Sequence, residues 1–265
     1  MREIEKITSR DNQRLVYTRK VREGKFTEQI FIEGRRLADE ALRSDIIIDN
    51  CIVADDFYDD GTLDAIAKRG VSIAAVPNKI FASIADTKQP QGIILIAKRP
   101  TALLETVEAS LRESVQPIAV FLKEINNPSN LGAILRTVEA AGAVGVLVSN
   151  DSADVFSPRA LRAAMGATFR LPIVENANFH DMVHWAKTTN ITTTATAASA
   201  VKSYVEIDWK KPRLLIFGSE AHGLSNLELE QIDEAISIPM ANDVESLNLA
   251  VSAGIILFEA KRQNS

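Results

Sequence analysis

Two loops near the end of the chain constrain it most. Leu214 to Phe217 are four consecutive apolar residues, the mark of a buried strand. The chain then turns at Gly218, places a lone carboxylate at Glu220 and turns again at Gly223. A second apolar stretch ends at Pro239. After a polar loop, Ser246 and Asn248 open an apolar terminal helix, with Ser246 as its N-cap and Asn248 in its first turn. Two strand-end loops of small and polar residues make a cradle for a small molecule.

The chain has 265 residues, enough for one large domain or two modest ones. No run reaches the roughly 18 apolar residues of a membrane span, and the first residues lack the apolar core of a secretion signal. A cytoplasmic protein with no membrane partner is expected. Cys51 is the single cysteine. It excludes an internal disulfide and fits a reducing compartment, and its strand-like setting IIIDNCIVAD marks an inert core thiol. The net charge of −5 argues against a globally basic nucleic-acid binder, but residues 1–22 carry +4 and the remainder −9. A basic arm on an acidic body can touch phosphate, and it also reads as a solvated helix face.

The order of elements is α/β throughout. Residues 30–97 alternate strands and helices, which implies a parallel or mixed sheet covered by helices. Residues 98–117, charged and bracketed by prolines, read as a linker with some helix. The second half repeats the rhythm, with strands at 118–125, 144–149 and 191–198, a loop and a helix ending at Gly142 within 127–143, and a helix at 179–190. No internal repeat or low-complexity tract is present.

Three motifs carry candidate chemistry. In Asn127-Pro128-Ser129-Asn130-Leu131-Gly132, Asn130 or Ser129 is the natural N-cap of a helix that bears Arg136, on the side set by Gly132 four residues earlier. Alone, this also describes a capped surface helix. The stretch FGSEAHGL lacks the Lys-Ser/Thr of a P-loop and the GxGxxG of a dinucleotide fold, and reads either as a ligand loop or as a polar connection. Backbone amides opening the terminal helix near Ser246 are free for a ligand. His180 and His184 stand four apart with no HExxH pattern or third ligand, so no metal is expected.

Taken in order and at these spacings, NPSNLGAILRTVEAAGA, LLIFGSEAHGLS and ISIPMANDVESLNLAVSAGIILFEA resemble the SpoU-type (TrmH-like) RNA ribose 2′-O-methyltransferases of the SPOUT superfamily. SPRALRAAMGATFRLPI adds a fourth block. SRDNQRLVYTRKVR, FIEGRRLADEAL and KQPQGIILIA resemble, more loosely, that family's L30e-like N-terminal domain.

The resemblance implies an L30e-like α/β substrate-binding domain over 1–98, a linker over 99–116, and a SPOUT methyltransferase domain with a C-terminal trefoil knot over 117–265. It implies S-adenosylmethionine as cofactor, S-adenosylhomocysteine as product, and a homodimer through the knotted domain. Position by position, the cofactor contacts fall on Thr196, Ala197, Phe217, Gly218, Glu220, Gly223, Ile238, Met240 and Leu247. The catalytic set falls on Asn130, Arg136, Glu220, Ser246 and Asn248. Arg10, Arg14, Arg19, Lys20, Arg35 and Arg36 are the candidate RNA contacts. The expected reaction is 2′-O-methylation of a ribose in RNA, ribosomal ahead of transfer RNA. A non-catalytic RNA-binding or assembly module on the same fold is the second reading. The chain departs from the family at Lys123-Glu124-Ile125-Asn126-Asn127-Pro128, where an acidic residue ordinarily precedes the proline.

Overall fold

The computed structural model describes residues 4–242 and 244–265. The chain divides into two compact units. One gathers residues 1–100 with 155–170, the other residues 101–154 with 171–265.

The first unit runs β1 (Ile4–Lys6), α1 (Gln13–Arg22), β2 (Gln29–Glu33), α2 (Arg35–Arg43), β3 (Ile48–Ala54), α3 (Asp60–Lys68), β4 (Ile73–Val76), α4 (Asn78–Ile84) and β5 (Ile93–Lys98). Its sheet has the order β1-β4-β3-β5-β2. The first three strands are parallel, and β5 runs antiparallel to both its neighbours. This is a mixed sheet, as the alternation of apolar strands and helices implies. One face buries Phe31, Ile52, Ile94 and Ile96 against Leu15 and Val21 of α1 and Ile80, Phe81 and Ile84 of α4. Cys51 is buried in β3, and burial pushes its thiol up to about 12.

The rest of the chain runs α5 (Leu104–Glu113), β6 (Ile118–Leu122), α6 (Pro128–Ala141), β7 (Gly145–Ser149), α7 (Pro158–Ala164), β8 (Ile173–Ala177), α8 (Phe179–Thr188), β9 (Thr192–Thr196), β10 (Arg213–Phe217), α9 (Asn226–Leu229), β11 (Glu234–Ile236) and α10 (Leu249–Gln263). All but α7 belong to the second unit, whose sheet is parallel throughout in the order β11-β9-β10-β6-β7-β8. Every residue of β6, β7 and β10 is buried. A parallel sheet with helices on both faces produces such uninterrupted apolar strands.

Two segments differ from the sequence expectation. Residues read as a linker are a folded part of the second unit: α5 sinks Val107 and Leu111 into its core. Charges on the outer face of α5 mask this spacing of four, which turns one stripe inward. Conversely, α7 packs with the first unit, so the SPRALRAAMGATFRLPI block straddles both. Arg162 pairs with Asp86 at 2.7 Å and Arg170 with Glu40 at 2.6 Å. Between them Gly166, at φ +91°, lies where a Cβ would come within 2.6 Å of Glu40.

Candidate active site

Because the second sheet is parallel, the C-terminal ends of its strands share one edge. The chain lays β6, β7 and β8 outward in one direction, then returns to place β9 and β10 on the other side of β6. The β6/β10 junction is therefore the switch point where loops diverge and leave a crevice. The loop after β6 leads to Asn130, and the loop after β10 carries Glu220.

The two side chains meet. Asn130 Nδ2 donates to Glu220 Oε1 at 2.5 Å, and Asn248 Nδ2 donates to Asn130 Oδ1 at 3.2 Å. Three stretches far apart in sequence thus close on one amide. Asn127 makes this possible. It caps α6, its Oδ1 accepting the Ser129 N–H at 2.9 Å, and Pro128 follows at N1. The cap expected at Ser129 or Asn130 falls instead on Asn127, because proline at N1 has its φ preset and lacks the N–H that would go unpaired. The Asn130 side chain is left free for the crevice.

Asn248 is likewise the N-cap of α10, a correction to the expectation for Ser246. Its Oδ1 accepts the N–H groups of Ala250 at 2.9 Å and Val251 at 3.4 Å, while its Nδ2 reaches Asn130. Ser246 is exposed, two residues before that cap. The α10 helix packs along α6, and Lys261 Nζ donates to the Ala140 carbonyl at 2.9 Å.

The Glu220 loop is closed backbone on backbone. The Gly223 N–H donates to the Ser219 carbonyl at 2.8 Å, with Gly223 at φ +64°. A Cβ on Gly218 would lie 2.5 Å from the Gly223 carbonyl carbon, so only glycine fits there. Lys123, at the end of β6, fastens the far side. Its N–H donates to the Phe217 carbonyl at 2.9 Å, and its ammonium pairs with Glu124 and, at 3.1 Å, with Glu228. Glu228 completes the capping box of α9 with Ser225. Burial alone would raise the Glu228 carboxyl, but the Ser225 amide and hydroxyl and the Lys123 ammonium outweigh it and hold it low. The pairing of Lys123 with Glu228 escaped the sequence reading, although Ser225-Asn226-Leu227-Glu228 carries the S-x-x-E spacing of such a box.

The other expected cofactor positions gather on the same edge. Thr196 ends β9 and its hydroxyl donates to the Ile216 carbonyl at 3.4 Å, and the Ala197 N–H donates to the Ile236 carbonyl at 2.9 Å. Phe217 is buried at the end of β10. Ile238 and Leu247 are half-buried and Met240 is exposed. Arg136 is exposed on α6, about 9 Å along the axis from Asn130. Among the described residues no hydrogen bond or ion pair engages its guanidinium.

Two of the expected RNA contacts are hydrogen-bonded within the first unit. Arg14 donates from Nε to Asn50 at 2.6 Å and from Nη2 to the carbonyls of Cys51 at 3.0 Å and Ser72 at 2.6 Å, and pairs with Glu5 at 3.1 Å. Arg19 donates to the Arg10 carbonyl. Arg10, Lys20, Arg35 and Arg36 are exposed.

Residues 117–258 match the model of the SpoU rRNA Methylase family, and residues 10–95 match that of an MRM3-like substrate binding domain. The chain belongs to the SpoU rRNA methylase family. A 23S rRNA (guanosine(2553)-2′-O)-methyltransferase of Bacillus subtilis is 28% identical over 97% of this chain and 100% of its own length. A 23S rRNA (guanosine-2′-O-)-methyltransferase of Escherichia coli is 34% identical over 76% of this chain and 83% of its own. An AdoMet-bound rRNA methyltransferase from Sinorhizobium meliloti superposes with a TM-score of 0.84 at 29% identity, covering 98% of both chains. The fold is thus that of a SpoU methyltransferase with an N-terminal substrate-binding domain.

Proposed function

We propose that this protein transfers the methyl group of S-adenosylmethionine to a ribose 2′-hydroxyl of ribosomal RNA. The observation that carries the reading is the Asn130–Glu220–Asn248 cluster at the β6/β10 switch point. It is the place a parallel sheet offers a ligand, and it holds three of the five family positions in contact. The names of the relatives favour ribosomal RNA over transfer RNA. The intact set of Asn130, Arg136, Glu220, Ser246 and Asn248 speaks against an inert assembly module.

The residues present fit the cofactor. Strand-end backbone at Thr196–Ala197, Phe217–Gly218 and Ile238–Met240 offers hydrogen-bonding groups to an adenosine, with Leu247 as an apolar neighbour. The tight turn at Gly218 closes the loop backbone on backbone, and the Glu220 carboxylate it presents suits a cationic ligand. Bound there, S-adenosylmethionine supplies a methyl carbon on a sulfonium that departs as a neutral thioether. Asn130, Ser246 and Asn248 orient the ribose. The Arg136 guanidinium stays protonated in proteins, so it binds the adjacent phosphate and opposes the negative charge that grows on the 2′-oxygen as the hydroxyl proton passes to solvent.

The same reading gives the C-terminal loops a trefoil knot and the protein a cytoplasmic setting. No helix among the described residues is long and apolar enough to cross a membrane. It also makes the working form a homodimer. Val251 and Phe258 leave half their surface exposed along α10, an apolar stripe that a second copy would cover.

Isothermal titration with S-adenosylmethionine, followed by transfer of radiolabelled methyl to rRNA that lacks the modification, tests the reading. Label should survive alkaline hydrolysis in dinucleotides, because a methylated 2′-oxygen cannot attack its neighbouring phosphate. Label on a base, or no cofactor binding, would refute it.

A further inference from the structure

The motifs FIEGRRLADEAL and KQPQGIILIA resemble the family's N-terminal domain, yet neither contributes to the methyl-transfer site. In the first unit they build one cleft of about 600 Å³. Its floor is apolar and aromatic, with Phe57, Phe81 and Ala54. Gly92, at φ +78°, lies where a Cβ would come 3.2 Å from the Phe57 ring, so no side chain fills that floor.

The rim is polar and two-sided. On one side the Arg35 guanidinium lies 4.8 Å from the Phe57 ring centroid. Arg35 is exposed while Phe57 is buried, so the open surface of that stack is a planar cation. The Arg35 N–H donates to Gln91 Oε1 at 3.0 Å, which ties the start of α2 to the β5 entry. On the other side the exposed Asp56 carboxylate accepts from Asn78 Nδ2 at 2.7 Å, which fixes its orientation.

We propose that this cleft binds an unpaired RNA base. The proposal rests on the reading of RNA as substrate. A flat heterocycle stacks on a guanidinium plane, and each of the four RNA bases carries at least one N–H donor on its pairing edge. The cleft supplies the plane in Arg35, the acceptor in Asp56, and with exposed Arg36 a second cation for the flanking phosphate. A volume of this size holds one nucleoside unit. Paired bases stay inside their helix and cannot enter, so the cleft selects loops, bulges and ends.

Asp56→Ala separates this from plain electrostatics. Removing a carboxylate makes the surface more positive, so a site that only attracts phosphate would bind RNA more tightly. A base-binding cleft loses its acceptor and binds about tenfold more weakly. The measurement is fluorescence anisotropy of a labelled single-stranded RNA of mixed sequence against the full chain at fixed salt. A second probe is the same strand carrying hydrogen in place of its bases. Wild-type protein should bind that strand about tenfold more weakly than the natural one, and Asp56→Ala should not weaken it further. Equal binding of the two strands by the wild type, or RNA binding by Asp56→Ala as tight as wild type, overturns the proposal. Titration of both proteins with S-adenosylmethionine keeps the two readings apart. The variant should match the wild type there, and a wild type that binds no cofactor would sink the enzymatic reading while leaving the comparison of strands intact.

Discussion

Asn130 and Glu220, 90 positions apart in the chain, share a 2.5 Å hydrogen bond across the β6/β10 junction. The amide donates there and accepts from Asn248 at 3.2 Å, so its orientation is fixed by both partners. Asn130→Asp would replace a donor with a second carboxylate beside Glu220. The hydrogen bond to Glu220 and the charge balance are then lost while the acceptor for Asn248 survives, whereas Glu220→Gln keeps an acceptor oxygen for Asn130. Methyl transfer should fall by about a hundredfold or more in Asn130→Asp. Glu220→Gln should keep the melting temperature of the wild type. A double-mutant cycle on the thermal midpoint, with Asn130→Ala and Glu220→Ala, should reveal coupling of about 0.5–3 kcal/mol.

Arg136 is placed for charge, not for structure. Its guanidinium is exposed and no partner among the described residues holds it, so Arg136→Ala should leave folding and cofactor affinity untouched. Transfer to RNA should drop by about a hundredfold to a thousandfold. Single-turnover methylation and calorimetry on the same preparation check this, and loss of cofactor binding would remove the assigned role.

The two glycines of the Glu220 loop should respond differently. A methyl at Gly218 has backbone atoms at 2.5 Å and 2.6 Å and cannot be accommodated without opening the loop, so Gly218→Ala should abolish cofactor binding. Gly223 has open space around its Cα and only its φ of +64° to resist a side chain. Gly223→Ala should cost about 1 kcal/mol of stability and retain binding. Titration of both variants with S-adenosylmethionine distinguishes them.

The α/β rhythm and both strand-end loops were legible because uninterrupted apolar runs such as Leu214–Phe217 and glycine punctuation are local signals. The capping residues were less so. Ser129, Asn130 and Ser246 all suit an N-cap by type, and only the backbone path decides that Asn127 and Asn248 serve. Arg14 shows the same limit. By sequence it is one more cation in a basic arm, and what removes it from the surface is the convergence of Asn50, Cys51 and Ser72 from elements that periodicity cannot bring together. The packing of α7 with the first unit is equally a tertiary fact, resting on Asp86 and Glu40.

Arg14 should therefore behave as a structural residue. Arg14→Ala removes the guanidinium from the Cys51 and Ser72 carbonyls and from Asn50, leaving Ser72 only the Cys51 N–H, and stability should fall by about 1–3 kcal/mol. For the fraction that remains folded, the salt dependence of RNA binding should match the wild type, because no phosphate contact is lost. Lys20→Ala, an exposed cation on the same helix, should do the reverse. Chemical denaturation and anisotropy at several salt concentrations separate the two.

The Lys123–Glu228 pair gives the Glu220 loop a dependence on pH. The Glu228 carboxyl is held below its ordinary value in the fold, so the folded state gives up its proton more readily than the unfolded chain. That stabilisation is present in full above the ordinary glutamate range and is lost as pH falls through the lowered value. Because Glu228 caps α9 directly after the loop, acidification should loosen the loop before the sheet unfolds. Cofactor affinity should decline with falling pH ahead of the main unfolding transition, and Lys123→Met should move that decline to higher pH. Titration calorimetry across the acid range, set beside circular dichroism on the same samples, would show it. If affinity and fold were lost together in both proteins, the pair would have no separate hold on the loop.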